Sequence, residues 1–148
     1  MKVVIQRVKS ANVEVGGKIV GEIEYGLLIY IGIKVGDTQL DADFLAEKIV
    51  NMRIINDENG KLNLSIKDIK GQIMAISNFT LYGNAQKGNR PDFICAQKYD
   101  KSQELYEYIC NALIDKGIKV AKGVFGADMT ISSVCDGPVT IILHSAND

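Results

Sequence analysis

The sequence predicts an α+β protein: a mainly antiparallel sheet or partly closed β-barrel with two helices packed on it. Three observations carry this. Short extended stretches bounded by turn residues outnumber helical ones, only two segments space their apolar residues as a helix does, and no GxGxxG follows a strand as a Rossmann-type sheet would require. Ala11 to Val15 alternates apolar and polar residues, Gly16-Gly17 supplies a two-residue turn, and Lys18 to Ile23 resumes the extended pattern, so a β-hairpin is expected. Leu27 to Ile33 is continuously apolar, which suits a central strand buried on both faces.

From Thr38 to Met52 the residues Leu40, Phe44, Leu45, Ile49 and Met52 recur at helical steps, with Asp37 or Thr38 available as cap. Arg53 to Ile55 and Lys61 to Ile66 read as short strands joined by the turn-rich NDENG, and Gln72 to Tyr82 as a further extended stretch. After the polar loop Gly83 to Asp92, a second helix is expected from about Asp100 to Lys116. Its apolar face is Leu105, Ile109, Ala112 and Leu113, Asp100 and Gln103 form a candidate capping box, and Gly117 stands at the stop. Ile118 to Val120, Met129 to Cys135 and Val139 to His144 complete the strands, the last two joined by Asp136-Gly137-Pro138.

Composition narrows the chemistry. The 148 residues suit one domain, 1–148, large enough to bury a core without disulfides. The single histidine, His144, excludes a zinc site built on two imidazoles and leaves one candidate base for a Ser/His or Cys/His pair. Cys95, Cys110 and Cys135 share no CxxC spacing, so neither a disulfide framework nor a cysteine metal cluster is expected, and a reducing, cytoplasmic compartment fits. Lys2, Gln6, Arg7 and Lys9 interrupt the N-terminal apolar residues, and no run reaches membrane-spanning length. A net charge of -1 argues against coating nucleic acid by bulk electrostatics, so any such contact is local. No metal or cofactor is expected.

Four segments stand apart from ordinary core or surface. Ser77-Asn78-Phe79-Thr80-Leu81 puts two hydroxyls and an amide in an apolar stretch, where they either bond to nearby backbone or line a cavity. Gly137-Pro138 is either a plain turn between strands or a bond whose cis form redirects the flanking carbonyls. The loop Gly83 to Asp92 carries Lys87 and Arg90, as a solvated connection or a binding loop. In Gly123 to Met129, Phe125 and Met129 are either core or the walls of a flat pocket suited to a base.

Together these segments resemble the D-aminoacyl-tRNA deacylases. The resemblance runs over nearly the whole chain: MKVVIQRV at 1–8, Val20-Gly21-Glu22-Ile23, Gly36-Asp37-Thr38, Lys87-Gly88-Asn89-Arg90-Pro91 and Phe125-Gly126-Ala127-Asp128-Met129. The family signatures SQFTL and NxGPVT correspond to Ser77-Asn78-Phe79-Thr80-Leu81 and Cys135-Asp136-Gly137-Pro138-Val139-Thr140. Two departures follow. Asn78 stands for Gln, one methylene shorter, so any hydrogen bond from that side chain must shift or disappear, and Cys135 stands for Asn, a weaker hydrogen-bonding group.

What the resemblance implies is hydrolysis of the ester joining a D-amino acid, or mischarged glycine, to the 3′-terminal adenosine of tRNA. It implies a homodimer whose active site is completed across the interface: Gly137-Pro138, cis, enters the partner's pocket and turns L-aminoacyl esters away. Ser77, Asn78, Phe79 and Thr80 become the catalytic segment, with backbone amides near Phe79 and Thr80 as oxyanion donors and the substrate's own 2′-hydroxyl taking part. Thr80 as nucleophile is the alternative. Arg7 is implied to support the Gly-Pro segment, against the plain reading of an exposed strand charge. Phe125 and Met129 would hold the adenine, and Lys87 and Arg90 would meet phosphates near the acceptor end. Two other functions compete with this one, a non-catalytic binder of tRNA acceptor ends and a dimeric scaffold without an RNA role.

Overall fold

The computed structural model describes residues 1–145; residues 146–148, the end of the expected 1–148 domain, lie outside the described residues. In order the chain forms β1 (Lys2–Val15), β2 (Lys18–Ile23), β3 (Gly26–Gly32), α1 (Gln39–Asn51), β4 (Ile55–Asn56), β5 (Leu62–Leu64), β6 (Gln72–Ser77), a 3₁₀ turn (Phe79–Tyr82), α2 (Tyr99–Asp115), β7 (Lys119–Lys122) and β8 (Thr130–His144). The main sheet runs β2-β1-β3-β6-β7, and β8 lies along β1. Its two path ends meet where Gly21 of β2 lies against the Lys122 carbonyl of β7, nearly closing a barrel.

The sheet is mixed. β1 pairs antiparallel with β2, β3 and β8, whereas β3-β6 and β6-β7 are parallel. Parallel neighbours need long crossover connections, and α1 with the β4-β5 hairpin supplies the first while α2 supplies the second. The two helices expected from the sequence are therefore the crossovers.

β3 explains the continuous apolar run. Side chains alternate across a strand, so Leu27, Ile29 and Ile31 pack toward the helices while Leu28 packs into the barrel with Val8, Val13 and Met74. Both faces are covered. The face under the helices contains Leu45 and Ile49 from α1 and Leu105, Ile109 and Leu113 from α2.

Thr38 caps α1, and the Asp41 carboxylate accepts both its N–H, at 2.9 Å, and its hydroxyl, at 3.0 Å. α2 departs from expectation. It starts one residue early, with Lys98 at the cap position and no capping box from Asp100 and Gln103, because the Lys98 carbonyl accepts the first helical bond, from the Ser102 N–H at 3.0 Å. Gly117 ends the helix with φ of +87°, as its stop position requires.

The Met1 amine is buried. It donates to Asp37 Oδ1 and to Ser145 Oγ, both at 2.7 Å, and Asp37 is 2% exposed. This tie joins the start of β1, the entrance to α1 and the end of β8. Nearby, burial works against the Asp41 carboxylate, but hydrogen bonds from Ser145 and Thr38 and the charge of the Met1 amine outweigh it and hold its pKa below the ordinary value. A folded-state pKa below the unfolded one adds stability above the ordinary carboxylate range, and that stability is lost as the pH falls through the folded value. Asp37→Ala leaves a buried cation without its anion, a loss of about 3–5 kcal/mol. For a chain of this size the thermal midpoint should fall by about 10 °C. A fall of less than about 2 °C in thermal unfolding would show that the ion pair contributes nothing net.

Candidate active site

β6 ends at Ser77, where the next amide, Asn78 N–H, donates to the Ile31 carbonyl at 2.8 Å. The extended stretch expected to Tyr82 therefore stops five residues early, and Phe79–Tyr82 turns as a 3₁₀ helix. Asn78 caps the turn. Its Oδ1 accepts the Thr80 N–H at 3.1 Å and also the Thr80 hydroxyl, so a short polar side chain takes a donor that a strand would have used. A longer Gln does not favour this two-residue loop.

That turn forms one wall of a cavity of about 520 Å³. Ser77, Asn78, Phe79 and Thr80 line it on one side, Phe125 and Met129 on another, with Ile31 and Ile33 between them. Two of the segments singled out in the sequence thus meet, although some 45 residues separate them. Phe125 is held by Tyr99, edge-on at 5.0 Å, and by Tyr106 at 5.6 Å. Phe79 makes an edge contact with Phe93 at 5.1 Å, at the end of the polar loop.

Gln97, Tyr99, Ser102 and Asp128 also line the cavity, and sequence reading did not select them as site residues. Asp128 lies inside a quoted motif and Tyr99 beside an expected helix start, while Gln97 and Ser102 carry no local signal. Among the described residues that line the cavity there is no His, Cys, Lys or Arg. Cys110 is buried elsewhere, with burial pushing its thiol up to about 12.

Of the two backbone amides expected to serve as oxyanion donors, one is already engaged. The Thr80 amide already donates to Asn78, so in this state it is not an open donor. The Phe79 amide, first in its helical turn, has no intrahelical acceptor and remains the candidate.

Asp136-Gly137-Pro138 is not a turn between two strands. β8 runs unbroken past it, paired with β1 from Lys2↔His144 to Glu14↔Thr130, and the register jumps from Gln6↔Thr140 to Val8↔Cys135. Residues 136–139 thus oppose the single residue Arg7 as a large, special bulge. Antiparallel pairing on both sides keeps the strand continuous where turn chemistry alone suggested a reversal. The Gly137-Pro138 peptide is cis, and Gly137 has φ of +131°. A Cβ on Gly137 would come within 2.6 Å of the Val139 nitrogen.

Arg7 is 5% exposed, which overturns the exposed-charge reading. Its Nη1 donates to Ile54 O at 2.9 Å and Asn56 Oδ1 at 2.8 Å, and its Nε pairs with Asp136 Oδ2 at 3.0 Å. It faces the bulge of its own chain and is not a wall of the cavity. Lys87 and Arg90 lie on an exposed loop closed by the Asn84↔Asp92 bridge, also outside the cavity walls.

Gly137 and Pro138 do not line their own chain's cavity. Arg7 pairs with Leu27 and Val3 with Ile31, so the bulge and the cavity are separated by four residues along the β1-β3 ladder, about 13 Å. No helix among the described residues is long and apolar enough to cross a membrane.

Fold and cavity define a small mixed-barrel protein whose site offers hydroxyls, an amide and aromatic faces. A sequence profile of D-Tyr-tRNA(Tyr) deacylase matches residues 4–144. The chain is 51% identical over 145 residues to D-aminoacyl-tRNA deacylase of Bacillus cytotoxicus, covering 98% of this chain and 99% of that one. It is likewise 51% identical over 145 residues to the D-aminoacyl-tRNA deacylase of Thermosipho africanus, covering 98% and 97%. Among solved structures it is similar to the c-Myc DNA Unwinding Element Binding Protein, with a TM-score of 0.92 and 38% identity over 98% of this chain and 99% of that one. A probable eukaryotic D-amino acid tRNA deacylase shares the fold, with a TM-score of 0.84 at 16% identity over 96% and 97%. The chain belongs to the D-Tyr-tRNA(Tyr) deacylase family, a family of hydrolases.

Proposed function

We propose that the chain hydrolyses the ester between a D-amino acid, or mischarged glycine, and the 3′-terminal adenosine of tRNA, as a homodimer in which each Gly137-Pro138 serves the partner's cavity. The observation that carries this is the meeting of Ser77–Thr80 with Phe125 and Met129 in one cavity. Family membership supports the substrate class.

In this reading Phe125 and Met129 cover the faces of the adenine, with Tyr99 stiffening the aromatic wall. Ser77 and the Asn78-Thr80 turn lie beside the ester, and the Phe79 amide meets the oxyanion that forms on its carbonyl. Water adds to the ester carbonyl with the 2′-hydroxyl of the adenosine assisting, and the ribose 3′-oxygen leaves with a proton as the free amino acid is released. Lys87 and Arg90, outside the cavity, meet acceptor-end phosphates. Free thiols at Cys95 and Cys135 on the surface support a reducing, cytoplasmic setting.

Two features support the dimer. The bulge lies about 13 Å along the ladder from its own cavity. β8 is also a 15-residue edge strand with Val134 at 55% and Ile142 at 58% exposure, an apolar edge of the kind that proteins cover. The test is release of tyrosine from D-tyrosyl-tRNA and L-tyrosyl-tRNA: rapid loss of the D ester with the L ester spared is expected. Binding of CCA-ended RNA without release of D-tyrosine would instead make the protein a binder of acceptor ends.

A further inference from the structure

Tyr25 lies between β2 and β3, far along the chain from the bulge, yet its hydroxyl donates to Asp136 Oδ2 at 3.0 Å. The same oxygen pairs with Arg7 Nε at 3.0 Å, and Arg7 Nε also reaches the Asp136 carbonyl at 3.2 Å. Asp136 is thus held by two donors, Arg7 on β1 and Tyr25 in the turn between β2 and β3. One is a buried cation anchored to Ile54 and Asn56, the other a neutral hydroxyl nearer the surface.

We propose that Tyr25 is a positioning residue for stereochemical selection, acting through Asp136 to fix the pose of Gly137 and Pro138. This rests on the deacylase reading above and adds to it a residue outside every motif that suggested that reading.

The bulge needs such a brace. Four residues face one across the β1-β8 ladder, so the regular cross-strand hydrogen bonds that would hold them are interrupted. Support from Cys135 is weak, with Ser133 Oγ 4.0 Å from its sulfur. Hydrogen bonds to a charged carboxylate are the strong kind, and two donors meeting one oxygen restrict its rotation more than Arg7 does alone. Burial, and then the bond to Asp136, raise the Tyr25 pKa, so the hydroxyl stays protonated as a donor well into the alkaline range.

Rejection by steric encounter depends on where the Gly137 and Pro138 carbonyls stand, whereas hydrolysis of an accepted ester depends on the Ser77–Thr80 turn. Loosening the brace should therefore change selectivity before it changes turnover. Tyr25→Phe removes only the hydroxyl. Hydrolysis of D-tyrosyl-tRNA is expected to stay within about twofold of the parent and cleavage of L-tyrosyl-tRNA to rise about tenfold, with the thermal midpoint lowered by no more than about 5 °C. In an Asp136→Ala background the same change should add nothing, because Tyr25 acts through that carboxylate.

A D/L ratio in Tyr25→Phe equal to that of the parent overturns the brace and leaves the deacylase reading standing. A ratio that shifts equally in the Asp136→Ala background overturns the route through Asp136. A parent protein that releases tyrosine from neither ester overturns the deacylase reading, and the brace with it.

Discussion

Gly137→Ala is expected to lower the ratio of D-tyrosyl-tRNA to L-tyrosyl-tRNA hydrolysis by about a hundredfold, the usual cost of misplacing a positioned group by about 1 Å. The physical case is local. Gly137 has φ of +131°, a region closed to ordinary L-residues, and an added Cβ would come within 2.6 Å of the Val139 nitrogen and 2.9 Å of Val139 Cγ2. One of these contacts is with the main chain and cannot be relieved by a rotamer change. The bulge itself must move, and with it the carbonyls that the proposed mechanism uses to turn away an L side chain. Selectivity of this sort comes from an obstacle to the wrong substrate, so displacing the obstacle admits that substrate without adding any attraction for it. Measured on folded variant, an unchanged ratio would show that discrimination lies elsewhere in the cavity.

The second large effect concerns the substrate. A D-tyrosyl-tRNA ending in 2′-deoxyadenosine is expected to be cleaved about a thousandfold more slowly than its ribose counterpart, since a group already held beside the ester is replaced by one that must be recruited. The cavity lining is the reason to expect little compensation from the protein. The Thr80 hydroxyl donates to the Asn78 carboxamide oxygen, which is no base; among the described residues that line the cavity there is no imidazole or thiol, and the carboxylate there, Asp128, has no hydrogen bond to Thr80. Thr80→Ala should accordingly retain activity within about tenfold, whereas a true nucleophile lost to alanine removes far more. Full cleavage of the deoxy substrate would end the assisted mechanism. Loss of activity in Thr80→Ala together with retention in Thr80→Ser would restore the nucleophile.

Much of the fold was legible because each element is written locally. The glycine pair at 16–17 and the alternation around it marked the β1-β2 hairpin, and the unbroken apolar run at 27–33 marked a strand covered on both sides. Both helices were found within a residue or two. The misreadings share a cause. Ser77–Leu81 looked extended because its apolar residues continue the strand pattern, but the Asn78 side chain captures the Thr80 amide and caps a turn. At Asp136-Gly137-Pro138 local composition left a plain turn and a cis bond both open; the bond is cis, and the pairing of β8 with β1 on both sides of it, which rules out a reversal, is not local. The α2 capping box is absent because the helix begins at Tyr99, with the Lys98 carbonyl taking its first bond from Ser102, one residue ahead of the start that Asp100 suggests.

The site divides in the same way. By itself the sequence determined the family frame, the two signature segments, the scarcity of titrating side chains and the mixture of many strands with two helices, since all of these are properties of residue identity and spacing. Tertiary structure alone decided that Ser77–Thr80 and Phe125-Met129 share one cavity, that Arg7 is buried against the bulge, that Gly137-Pro138 is about 13 Å along the ladder from its own chain's cavity, and that Tyr25 holds Asp136. Those facts depend on which strands become neighbours. Pairing is settled by long-range burial and ladder hydrogen bonds, which no short window of sequence contains.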